Sequence, residues 1–203
     1  MSIVIAGIHT NIGKTICSAV VCQALGYDYW KPVQAGDLEN SDSIFIKRVV
    51  SNPSCIIHPE AYRLSIPASP HYAAEVDGVT ITKANIKLPI SDNNIVIETA
   101  GGIMSPLAYN YINIDLIEQL SLPVILVSNS YLGSINHTLL SIAVLKQRKI
   151  RLKGIVFSGE SNPSTESFIK QYTGLPILFS IPALAEVNAT SIDNFVKQVS
   201  IKI

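Results

Sequence analysis

The residues best equipped for chemistry lie near the start of the chain, in Gly7-Ile8-His9-Thr10-Asn11-Ile12-Gly13-Lys14-Thr15. The strict phosphate-loop pattern is GxxxxGK[ST]. Here the glycine-to-glycine spacing is one residue longer, and Ile8 stands where the strict pattern has glycine. The working parts remain. Gly13 lets the backbone approach an anion closely. A helix opening at Lys14 offers unpaired N–H groups and a positive dipole end. Lys14 can reach terminal phosphates, and the Thr15 hydroxyl can serve Mg²⁺. The loop follows an apolar run and precedes a helix-like segment, which is the context nucleotide binding needs.

A phosphate loop needs a second acid on the metal side. Glu98 fits. It ends the apolar run Asn94-Ile95-Val96-Ile97 and precedes Thr99-Ala100-Gly101-Gly102, whose glycines let backbone approach phosphate. Lys31, in Lys31-Pro32-Val33-Gln34, closes another apolar run. An ammonium there can stabilise charge on a transferred phosphoryl or a second anion, and the pattern fits a snorkelling surface lysine equally well. Asp42 stands at a helix start, where capping by Ser41 or Asp42 is the default reading. Metal ligation by Asp42 requires its loop to fold toward Thr15.

These residues must be positioned by alternating strands and helices. Ser2–Ala6, Tyr27–Val33, Asn94–Glu98, Leu122–Val127, Lys153–Phe157 and Pro176–Phe179 read as strands. Lys14–Leu25, Ser41 to about Val50, Ile135–Arg148, Pro163–Tyr172 and about Ile192–Ile201 read as helices, the first ending at Gly26 as its C′ residue. Strands apolar along their whole length belong in parallel sheets covered on both faces. The expected fold is therefore a doubly wound α/β domain over 1–203, mainly parallel, with helices on both faces and ligands at the strand C-terminal ends. Pro53–Leu88 reads as a less regular surface insertion with short helices.

Composition narrows the class. At 203 residues, and about 150 per domain, one domain is the natural count. Charged residues are 15% against roughly 25% in an average soluble protein, and hydrophobic residues are 48%, which excludes a mainly disordered chain. Fifteen basic side chains balance fifteen acidic ones, so no global positive field draws nucleic acid or an anionic membrane. So little charge also hints at apolar surface covered by a second subunit. Cys17, Cys22 and Cys55 form no CxxC or Cys/His cluster, which points away from a disulfide framework or zinc site. The N-terminus lacks the basic region of a signal peptide, and the apolar runs fall far short of the roughly 20 residues of a membrane span. A reduced, cytoplasmic protein is expected.

Taken together, the residues resemble the dethiobiotin synthetase family. The likeness runs along most of the chain: Gly7–Thr15, Lys31-Pro32-Val33, Ser41-Asp42, Ser69-Pro70-His71, Glu98–Gly102, Pro106-Leu107, Pro123–Val127, Leu132-Gly133 with Ile135-Asn136-His137, Gly154-Ile155-Val156 and Ile181–Leu184. The resemblance implies an ATP- and Mg²⁺-dependent ring closure. Carbon dioxide and 7,8-diaminopelargonate form a carbamate, the carbamate oxygen attacks the γ-phosphorus of ATP, and the second amine closes the cyclic urea with release of phosphate. It also implies roles. Thr10, Lys14 and Lys31 would act on the reacting anions, with Thr15, Asp42 and Glu98 on the metal. Asn11, Ile12, Gly13, Lys14, Thr15, Ile16, Glu98, Thr99, Ala100, Gly101, Ser158, Pro182, Ala183 and Leu184 would hold the nucleotide. Thr10, Lys31, Ala35, Leu132, Gly133 and Asn136 would contact the diamine. Leu132–His137 would receive the substrate carboxylate of a neighbouring subunit, making a homodimer. Read without the resemblance, that segment is ordinary capping by Ser134 ahead of a helix.

The chain departs from the family pattern at His9 and Asn11, where acids are usual, at Ala35, where a hydroxyl is usual, and at Ser158-Gly159, where Asn-Asp contacts adenine. The last change implies a looser base preference. His71 is given no catalytic role, and His9, His58 and His137 read as loop or helix-start residues. Two other readings are weaker. A cobyrinate-type amidase needs a glutaminase domain for which there is no length. A partitioning-type ATPase switch carries an extra lysine early in the loop, where this chain has His9.

Overall fold

The computed structural model describes residues 1–199, 201 and 203. In chain order it contains β1 (Ile3–Gly7), α1 (Lys14–Leu25), β2 (Asp28–Trp30), β3 (Val33–Ala35), α2 (Asp42–Val49), β4 (Ile57–His58), β5 (Tyr62–Leu64), α3 (Pro70–Val76), β6 (Ile95–Gly102), β7 (Pro106–Ala108), β8 (Tyr111–Ile112), α4 (Asn113–Leu120), β9 (Val124–Ser128), α5 (Ser134–Gln147), β10 (Leu152–Ser158), α6 (Pro163–Thr173), β11 (Ile177–Ile181) and α7 (Ala189–Gln198). Seven strands form one sheet in the order β11-β10-β9-β1-β6-β2-β4, and every pairing in it is parallel.

The strands are apolar throughout because both faces are covered. Successive side chains of β1 enter opposite cores, Val4 and Ala6 into one and Ile3 and Ile5 into the other. The first core takes Ile114, Leu116 and Ile117 of α4, Ile142 and Leu145 of α5 and Ile169 of α6. The second takes Val20 and Val21 of α1, Ile46 and Val49 of α2, and Ile192 and Phe195 of α7. The doubly wound expectation therefore holds. β1 lies between β6 and β9, with Ile5 opposite Glu98 and Ile125. The loop after β1 and the end of β6 thus meet at the same edge of the sheet.

Several boundaries differ from the sequence reading, each for a local reason. Tyr27–Val33 is two strands. Pro32 has no N–H to give a ladder; β2 stops at Trp30, and β3 leaves to pair with β5. Pro53–Leu88 is less of a surface insertion than expected. It supplies β4 as the last strand of the main sheet, and Tyr62, Leu64, Ala73, Ile81 and Ile86 are core residues. Helix α4 and the β7–β8 hairpin were not anticipated. The α4 start is held by Asp115, whose carboxylate accepts from Ile112 N at 3.1 Å. Helix α7 starts at Ala189, capped by Asn188 accepting from Ser191 N at 2.9 Å. Its expected end at Ile201 passes through Ser200, outside the described residues. Gly26 closes α1 as expected, with φ 66° and its N–H on Cys22 O.

Asp28, at the start of β2, is fully buried and ties three segments together. Its carboxylate accepts from Ser91 Oγ (2.6 Å), His58 Nε2 (2.9 Å), Asn93 Nδ2 (3.0 Å) and Ile56 N (3.0 Å). Burial alone would raise this carboxyl. The hydrogen bonds from Ser91, Ile56, His58 and Asn93 outweigh it and hold the group below its ordinary value. A depressed folded value gives stability that is present above the unfolded value and lost as pH falls through the folded one. Asp28→Ala is therefore expected to cost about 2–3 kcal/mol in urea denaturation near neutrality, since it removes the buried acceptor that four part-buried donors share. The gap between the native chain and the variant should narrow as pH falls below about 4, the ordinary aspartate value. A gap independent of pH would exclude the carboxylate as its source.

Candidate active site

The phosphate loop connects β1 to α1. Gly13 stands at the α1 N-cap with φ 92°, a left-handed conformation that L side chains rarely adopt, and no side chain caps the helix. The first N–H groups of α1 are left to the cleft. Gly13 is also pressed by β10: a Cβ there would lie 2.2 Å from Ser158 Oγ. Lys14 is buried, and its ammonium donates to His9 O at 2.9 Å. Burial lowers its pKa to about 8, with Glu98 opposing the shift and Lys31 adding to it. A bound polyphosphate would restore the charge that burial weakens.

Glu98 is 1% exposed in β6 and is the hub of the polar cluster. Its Oε2 accepts from Ser18 Oγ (2.9 Å) and Tyr29 OH (3.0 Å), and its Oε1 lies 2.8 Å from Thr15 Oγ1. Burial, reinforced by Glu98, raises the Tyr29 phenol well above its ordinary value, so it stays a donor. Thr15 Oγ1 also lies 2.8 Å from Asp42 Oδ1. One hydroxyl has one proton, so two carboxylates compete for it.

Lys31 forms a tight ion pair with Asp42 Oδ2, and its Nζ lies 4.0 Å from Glu98 Oε1. The break at Pro32 is what leaves Lys31 at the sheet edge. Burial lowers its pKa, with Glu98 and Glu60 pulling the other way. Ser41 takes the capping duty of α2, its Oγ accepting from Ile44 N, and Gln34 Oε1 accepts from Asp42 N. Asp42 is thereby free of capping and turns toward Thr15.

Two cavities meet at the loop. A polar cleft of about 330 Å³ is lined by Thr10–Ile16, Lys31, Asp42, Glu98, Gly101 and Val187. An apolar groove of about 470 Å³ runs between the loop, Gly102–Pro106 and the α5 residues His137, Leu140, Ser141 and Val144. Thr10 lines both. Two carboxylates, a threonine hydroxyl, two ammonium groups and a helix N-terminus suit a divalent cation with a polyphosphate.

A family model described as an AAA domain matches residues 1–191. The chain is 54% identical to the ATP-dependent dethiobiotin synthetase of Christiangramia forsetii, over 82% of this chain and 80% of that protein. It is 50% identical to that of Cytophaga hutchinsonii, over 87% and 86%, and 42% identical to that of Chlamydia pneumoniae, over 97% and 88%. The chain belongs to the dethiobiotin synthetase family. Among solved structures it resembles a ParA family ATPase from Chlorobium tepidum, with TM-score 0.53 and 13% identity over 98% of this chain and 99% of that one. It also resembles the MinC:MinD complex of Aquifex aeolicus, with TM-score 0.55 and 15% identity over 100% and 97%. At such identities the likeness is one of fold alone.

Against the family pattern, the fold brings Thr10, Asn11, Ile12, Gly13, Lys14, Thr15, Ile16, Lys31, Asp42, Glu98 and Gly101 to one cleft. Other expected residues sit apart from it. Ala35 is half-buried at the end of β3 against the core. Leu132 (104% exposed), Gly133 and Asn136 lie on the surface at the start of α5, outside the groove. Ser134 does not cap α5. Its Oγ accepts from Tyr131 N, and Gly133 holds the cap position with no side-chain bond. Pro182 and Ala183 are exposed, and Leu184 borders a separate depression, whereas Val187 of the same loop lines the cleft. Ser18, Tyr29, Gln34 and Val187 had no signal in the sequence, because only the fold brings them to the cleft.

Gly13 is constrained twice, by its dihedral and by Ser158. Gly13→Ala should weaken nucleotide binding by about 10²-fold or more, as the left-handed cap costs on the order of 1–3 kcal/mol for a non-glycine residue and the overlap adds to it. Removing the overlap in a Gly13→Ala/Ser158→Gly double variant should recover only part of that loss in calorimetric titration with ATP. Full recovery would leave the dihedral with no role.

Proposed function

We propose that the protein is an ATP-dependent cyclo-ligase of biotin biosynthesis, converting 7,8-diaminopelargonate (7,8-diaminononanoate), CO₂ and ATP into dethiobiotin, ADP and phosphate. The observation that carries the reading is Thr10, shared between the apolar groove and the polar cleft. An anion held there has an alkyl diamine on one side and a triphosphate on the other. The family membership supplies the reaction. One amine adds to the carbon of CO₂ and loses a proton, giving a carbamate. A carbamate oxygen attacks the γ-phosphorus and ADP leaves. The second amine attacks the carbamoyl carbon, phosphate leaves, and the urea ring is closed.

The chain's own residues fit this sequence. Both reactants at phosphoryl transfer are anions, so their approach needs cations. Lys14 addresses the terminal phosphates, and Lys31 addresses the carbamate and the transferring group. Thr10 positions the carbamate. No nucleophilic side chain is required, since phosphoryl transfer rests on positioning and charge. Thr15, Asp42 and Glu98 would hold Mg²⁺: they are hard oxygen donors, and their two carboxylates exceed what one hydroxyl proton and Lys31 can balance. When bound, Mg²⁺ polarises the phosphoryl oxygens and offsets their charge. Asn11, Ile12, Gly13, Ile16 and Gly101, which line the cleft, would surround the phosphates, and Thr99 and Ala100 would support them from β6. The family resemblance assigns Ser158, Pro182, Ala183 and Leu184 to the base, although of that loop it is Val187 that lines the cleft.

The chain acts as one α/β domain and as a homodimer. The exposed Leu132, Gly133 and Asn136, at a helix start with no side-chain cap, support a carboxylate-receiving element offered to a second copy. Ala35, in its half-buried place, contributes shape to the substrate side and no hydrogen bond. The free thiols of Cys17, Cys22 and Cys55 support a reduced cytoplasmic setting. Among the described residues no helix is long and apolar enough to cross a membrane. A nucleotide switch acting on DNA or lipid is the second reading. It shares the fold, but the relatives at 42–54% identity favour the synthetase.

Phosphate release should depend on both the diamine and bicarbonate, and stimulation by DNA or lipid without diamine would favour the switch. Lys31→Ala should lower dethiobiotin formation by about 10²–10³-fold while ATP affinity changes less than about tenfold. Unchanged turnover would remove Lys31 from the mechanism. Ser158-Gly159 offers the base few directional partners, so CTP or GTP should support turnover within about tenfold of ATP, the worth of one net hydrogen bond. A strong preference for ATP would contradict this.

A further inference from the structure

At the apolar groove lie two imidazoles, with a tyrosine beside them, that the charged cleft does not use. His9 of the phosphate loop and His137 in the first turn of α5 have ring centroids 6.4 Å apart and planes 22° apart. Tyr131 lies 6.5 Å from His9 and 5.7 Å from His137, and its hydroxyl is 2.6 Å from His137 Nδ1. Both imidazoles line the groove beside Thr10.

One bond fixes the form of His9. Its Nδ1 lies 2.9 Å from Thr10 O. A carbonyl only accepts, so Nδ1 carries the hydrogen and Nε2 of the neutral ring carries the lone pair. Among the described residues no protein donor occupies Nε2. The titratable groups facing His9 are Lys14, whose ammonium touches its main-chain oxygen, and Tyr131 and His137 on the side of α5. His9 is exposed at the groove mouth, so a proton it takes can pass on to water.

The reaction proposed above, on which this inference rests, needs such a base. Alkyl amines are protonated at neutral pH, and carbamate formation releases a further proton. Lys14 and Lys31 are committed as cations. Asp42 and Glu98 are committed to Thr15, Ser18, Tyr29 and Lys31. We propose that His9 Nε2 accepts the proton from the amine that becomes the carbamate, with His137 and Tyr131 as positioning residues for its ring. The amine lone pair forms the N–C bond to CO₂, one C=O π pair moves onto oxygen, and the N–H bond breaks with its proton going to Nε2. Neutral amine, CO₂ and imidazole thus give carbamate anion and imidazolium.

The test compares kcat/KM for the diamine against pH in the native chain, His9→Gln and His9→Ala, with ATP affinity measured in parallel. On the acid side, diamine-dependent turnover of the native chain should fall more steeply by one proton than that of either variant, since the diamine's own amines titrate in all three. At neutral pH the variants should be slower by about 10²-fold, with ATP affinity within about twofold, and added imidazole should restore part of the His9→Ala rate. An acid limb of equal slope in the native chain and both variants, or no rescue by imidazole, overturns the assignment of His9 while the ligase reading stands. A native chain with no diamine-dependent phosphate release overturns both.

Discussion

The structure is organised around a charge cluster that water does not fully reach. Glu98 sits midway along core strand β6 with its side chain enclosed, and Asp42 and Lys31 are drawn in beside it. An isolated carboxylate in such a place would be costly. It is tolerated because Ser18, Tyr29 and Thr15 converge on its oxygens and Lys31 supplies opposite charge nearby. The same enclosure weakens each ammonium's hold on its proton, as the lowered values of Lys14 and Lys31 express. The cleft is therefore poised to gain from anions, whose arrival would strengthen both lysines' hold on their protons.

The fold supplies what this cluster needs by ordinary means. Parallel pairing of β1 with β6 sets the phosphate loop beside Glu98. Pro32 ends the ladder of β2 and leaves Lys31 at the rim. Ser41 satisfies the start of α2 and releases Asp42 from that duty. Gly13 takes a left-handed conformation directly under Ser158, which leaves the first turn of α1 uncapped. None of these devices is unusual alone. Their conjunction puts two lysines, two carboxylates and a hydroxyl in one cleft.

Much of this was legible in the sequence, and the rest was not for definite reasons. Apolar runs such as Val124–Val127 announce buried parallel strands whatever their order. Lys14, Thr15 and Glu98 could be read from local pattern because strand-end and loop-helix grammar is local. Lys31 and Asp42 could not be separated from a surface lysine and a helix cap without knowing that β2 lies next to β6. The fate of Pro53–Leu88 was hidden for the same reason: its strands β4 and β5 are three residues or fewer, too short to show a period, and are defined by their partners. Helix α4 was missed because its start is secured by Asp115 reaching back to Ile112, a bond with little compositional signature.

The ion pair between Lys31 and Asp42 bears on how the site must work. While Asp42 holds the ammonium, Lys31 cannot serve an incoming carbamate, and an anion alone gains little by drawing it away, since that leaves Asp42 and Glu98 facing each other without compensation. The exchange becomes favourable only when other positive charge meets the carboxylates as the anions arrive. On the proposed function, the lysine, the carboxylates and the divalent cation would act as one device rather than three. In the proposed reaction the charge that Lys31 would deliver to the substrate is the charge that Asp42 relinquishes, and a site with either partner missing would hold its remaining charge in the wrong place.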